Sequence, residues 1–209
     1  MLIDEINSII DDFFELSKDS IRYLALNKNS MQIFPSLIKQ DCIVVDLLNP
    51  QIKISPISPF MSILKEQNLS REQIHPYTYS LQESCFTSYF ETGDSGFRND
   101  MIIIEELFYE KKRCLQTVFD LVSNYISKPI VILNAQEIKQ ESISLLDFFN
   151  SEQSKNKILL CFDFSENDFD YESNSFFTDV MDNSNYYDFS NLYFDIADNK
   201  SLIKKTERI

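Results

Sequence analysis

Few residues in this 209-residue chain are of types that carry chemistry, and their spacing limits what that chemistry is. There is one histidine, His75, followed by Pro76, so neither a multi-histidine metal centre nor a histidine pair is available. Cys42, Cys85, Cys114 and Cys161 are far apart and form no C-x-x-C pair. Cys42 and Cys161 lie in apolar runs, where a free thiol acts as a small buried hydrophobe; this implies a reducing compartment and no disulfide framework. Both glycines, Gly93 and Gly96, bracket Asp94-Ser95 in one short turn. That tetrapeptide has the look of a serine-nucleophile loop, but the surrounding pattern is not that of a glycine-rich β-barrel, and a turn is the expected role. Phosphate-cradling loops also need glycine, because the backbone must approach the anion without an intervening Cβ. Asp168-x-Asp170-x-Glu172 has calcium-loop spacing at its start, yet lacks glycine at the sixth position and glutamate at the twelfth, where Asp179 falls. No catalytic, metal or cofactor site is therefore expected.

The acidic stretch continues well beyond that triplet. Residues 158–199 hold ten carboxylates and no Lys, Arg or His, interleaved with aromatics such as Phe164, Phe169, Tyr171, Tyr186 and Tyr193. Aromatics in the core with solvated acids between them is the first reading. The second is a docking face for a basic partner, centred on Asp168, Asp170, Tyr171 and Glu172: aromatics supply contact area and carboxylates steer encounter. The whole chain has 19 basic and 33 acidic residues, a net charge of −14, which repels nucleic acid and anionic membranes. Asp4 and Glu5 stand where a secretory signal would be basic, and no apolar run reaches the length of a membrane span. A cytoplasmic protein without membrane or nucleic-acid partners is the expectation.

The elements that must position these residues follow from periodicity. Helical spacing covers residues 2–16, and Ile21–Leu26 reads as a strand ending in the turn Asn27–Ser30. A short helix over 31–39 and the strand Cys42–Leu48 follow, then helical patterns at 60–67, 71–90 and 100–127. Strands at Pro129–Leu133, Lys157–Phe162 and Leu192–Ile196 alternate with helices near 142–151 and 173–182, before a basic tail, Lys200–Arg208. Alternating strands and helices predict a three-layer α/β domain with a mostly parallel sheet of about five strands. One domain over residues 1–209 is expected, with the N-terminal helix (1–18) packed outside the sheet.

This order resembles that of the additional-strand P-loop ATPases. Ile21–Leu26 with Asn27–Gln32 sits where the phosphate loop would be. Ile57-Ser-Pro-Phe-Met-Ser-Ile-Leu64 looks like the P-y-S-P-f-x-x-I-L segment of the AAA-like ATPase domains in the STAND regulator class. Lys128–Leu133, Ser142–Leu146 and Ile158–Leu160 resemble their Walker B strand, following helix and sensor strand. The resemblance implies a degenerate member. Against G-x-x-x-x-G-K-[ST] the chain has Ala25-Leu-Asn-Lys-Asn-Ser-Met-Gln32, which replaces both glycines, the lysine and the hydroxyl. Asn134-Ala135 replaces the acidic pair that would hold magnesium and align a water, and Glu137 comes two residues too late. The expected function is a non-catalytic pseudo-ATPase-like scaffold or regulatory domain that contacts a protein partner. The alternative is an acidic inhibitor or immunity-type protein that neutralises a basic partner.

Overall fold

The computed structural model describes residues 2–50, 52, 57, 59–67, 73, 104–151, 154–163 and 175–190. In chain order the elements are α1 (Leu2–Glu15), β1 (Ile21–Leu26), α2 (Lys28–Leu37), β2 (Ile43–Asp46) and α3 (Phe60–Glu66). They continue with α4 (Ile104–Tyr125), β3 (Ile130–Leu133), α5 (Gln140–Ser151), β4 (Ile158–Asp163), α6 (Ser175–Met181) and β5 (Tyr186–Phe189). The strands form one all-parallel, five-stranded sheet in the order β2-β3-β4-β1-β5, flanked by helices. This is the three-layer α/β class that the alternation predicts.

The central strands explain that outcome. β1, β3 and β4 are buried along their whole length, and Ile-Val-Ile-Leu and Ile-Leu-Leu-Cys-Phe are the continuous apolar runs that a two-sided parallel strand requires. Register is even: Ile21 pairs with Ile158, Leu24 with Cys161, and Leu26 with both Asp163 and Phe189. β5 departs from the sequence expectation. The fifth strand is Tyr186–Phe189, while the predicted strand 192–196 lies outside the described residues. At the sheet edge only Phe189 of β5 is buried, so the strand carries no apolar run to announce it.

The chain divides into two compact units. The first comprises Met1–Val44, Lys128–Gln136 and Lys157–Ile209. Its core joins Ile6, Ile10 and Phe13 of α1 to Met31, Phe34 and Leu37 of α2 and to the strand residues Leu24, Leu26, Val131, Leu159, Cys161 and Phe189. These are the helical i, i+3/i+4 positions and the alternate strand positions that place one face of each element on one side of the sheet. The second unit comprises Val45–Ser127 and Glu137–Asn156. There the Phe149 ring stacks on Phe60 at 5.3 Å and meets Phe119 edge-on at 5.1 Å, which binds α3, α4 and α5 together. Asn156 Nδ2 donates to Ile126 O at 2.7 Å and satisfies a carbonyl just past the end of α4.

Candidate functional site at the carboxyl ends of the strands

Ligands of open parallel sheets bind beyond the carboxyl ends of the strands, near the point where strand order reverses. In the first unit that edge is built from Asn27 after β1, Asn134 and Gln136 after β3, Asp163 at the end of β4, and Ser190 after β5.

Asn27 controls the first of these turns. β1 ends at Leu26 and α2 begins at Lys28, so a single residue joins strand to helix. Asn27 adopts extended backbone angles (φ −80°, ψ 165°) and its Oδ1 accepts from Ser30 N at 2.9 Å. Its carbonyl accepts from Met31 N at 2.9 Å, and its Nδ2 donates to Ser190 O at 3.1 Å. This is an N-cap, the arrangement that short polar side chains favour because it satisfies donors the helix cannot. The four-residue turn expected at Asn27–Ser30 is therefore corrected to one residue: the cap lets the helix start three positions earlier. Pro35 sits inside α2. Lys28 lies exposed on the first turn of that helix.

The end of β3 is held by amides. Asn134 is buried and takes up a left-handed conformation (φ 55°), which asparagine tolerates better than other non-glycine residues. Gln136 Oε1 accepts from Asp163 N at 3.1 Å, linking the ends of β3 and β4, and its Nε2 makes a long 3.5 Å contact with Asn134 Oδ1. Ala135 is fully buried, and Glu137 closes the following 3₁₀ turn as an exposed residue. Asp163 is 5% exposed, at the β4 position paired with Leu26 and thus one residue from Asn27.

The structure thus brings Asn27, Asn134, Gln136, Asp163 and Ser190 to one edge. The sequence marks Asn134 and Ala135 by residue type and Asp163 as one carboxylate of the acidic stretch, but not Asn27 as a cap, nor Gln136. The signal for Asn27 was present, as a capping residue directly after a strand; Gln136 gave none, because its role depends on β4 lying beside β3. Asp168, Asp170, Tyr171 and Glu172, the centre of the expected docking face, lie outside the described residues, as do His75, Cys85 and Gly93–Gly96. Among the described residues no group of three or more His, Cys, Asp or Glu side chains is placed to hold a metal ion. Cys114 and Cys161 are buried free thiols and Cys42 is half-buried. Burial pushes the Cys161 thiol well above its usual value, with Cys42 adding to the effect. Burial likewise raises Cys42, assisted by Asp41 and opposed by Lys128. Both stay protonated and unreactive near neutral pH. No helix among the described residues is long and apolar enough to cross a membrane.

No protein family's pattern, no curated protein and no solved structure matches this chain.

Proposed function

We propose that this chain is a non-catalytic, pseudo-ATPase-like module that works through protein contacts, as a scaffold or regulatory subunit. The observation that carries the reading is the single-residue connection between β1 and α2. A loop that wraps a phosphate needs several residues whose N–H groups converge on the anion. Here one residue spans the gap, and its own side chain takes a donor at the helix start that an anion would otherwise use. The family side of the proposal draws support from strand order. β4, aligned with the sensor strand, lies between β1 and β3, so the phosphate-loop, sensor and Walker B equivalents end side by side. Each of those ends is tied to a neighbour by amide or main-chain hydrogen bonds.

The test is a thermal-shift titration of the full chain with ATP and with GTP, each with magnesium. A ligand at a hundred times its dissociation constant adds about 2.7 kcal/mol to a folded state that alone binds it, a visible rise in midpoint. No shift is expected. A saturable nucleotide-dependent shift would overturn the reading and return attention to Lys28 and Glu137.

A further inference from the structure

We draw no further inference here: the strongest candidate, the outer edge of β2 at the end of the sheet, where Val44 is 40% exposed, carries none because nothing among the described residues shows what covers it.

Discussion

Asn27 shows how much one side chain decides at the residue scale. The same residue ends β1, caps α2 and reaches Ser190 beyond β5. Asn27→Ala removes the cap and the cross-strand bond together. The expected loss is about 1 kcal/mol, within the 0.5–2 range for deleting a cap, read as a lower urea midpoint at unchanged slope. The buried thiols give a second prediction. The folded chain keeps Cys161 and Cys42 protonated at pH values where the unfolded chain, with thiols near 9.0, has lost those protons. Above that pH the unfolded state binds fewer protons, so stability falls as pH rises, by at most about 1.4 kcal/mol per unit for each such thiol. Lys157 acts in the opposite sense. Its folded pKa is lowered, so the unfolded state holds the extra proton just below 10.5 and stability gains as pH rises there. Urea midpoints at pH 7.5 and 9.5 are expected to show a decline that becomes steeper in Lys157→Met and shallower in Cys161→Val.

Among the elements, the helices of the second unit depend on a small number of rings. Phe149 is fully buried in α5 and touches both Phe60 of α3 and Phe119 of α4. Phe149→Ala is expected to cost roughly 3–5 kcal/mol in urea unfolding, because three elements lose a shared contact and leave a cavity. α1 depends differently on its surroundings. It has no basic residue in its last turn, where the macrodipole favours a cation. Lys157, 140 residues away in sequence, supplies that charge at the carbonyls of Ser17 and Asp19, just past the helix end. Gln40 adds contacts of 3.3 Å to Asp11 and Glu15 on the outer side of the helix. Docking of α1 is thus settled by residues on two other segments.

For the molecule as a whole, the proposed role and its alternative differ in how they respond to salt. A scaffold that binds through shape and helix faces is expected to lose little affinity between low and high ionic strength. An acidic inhibitor of a basic partner would lose much, since screening acts first on exposed charges separated by more than about 8–10 Å. Exposed Asp179, Asp182 and Asp188 lie in and around α6 and β5. The deciding variant is the triple change Asp168→Lys, Asp170→Lys and Glu172→Lys. Under the scaffold reading partner affinity, measured by calorimetry, stays within a factor of about three, and under the inhibitor reading it collapses.

Elements whose signal is local were legible in the residues themselves. β1 was legible to the residue, since polar residues follow an apolar run interrupted only by Arg22, and β3 and β4 were legible from continuous burial-type runs that a parallel sheet accommodates. That Ala25–Gln32 does not match G-x-x-x-x-G-K-[ST] was equally plain, because motif chemistry is a matter of residue type. Tertiary structure decided what depends on neighbours distant in sequence. β5 was missed because an edge strand needs only one buried side chain. The length of the β1–α2 turn followed from where Asn27 Oδ1 points, which residue type alone does not fix. Gln136 became part of the candidate site only because β4 lies beside β3, and Arg22, one charge in an apolar strand, gained meaning from Phe13, Tyr187 and Lys157 gathered around it. Periodicity reports which face of an element is buried; which side chains meet across that face is set by the order of the strands.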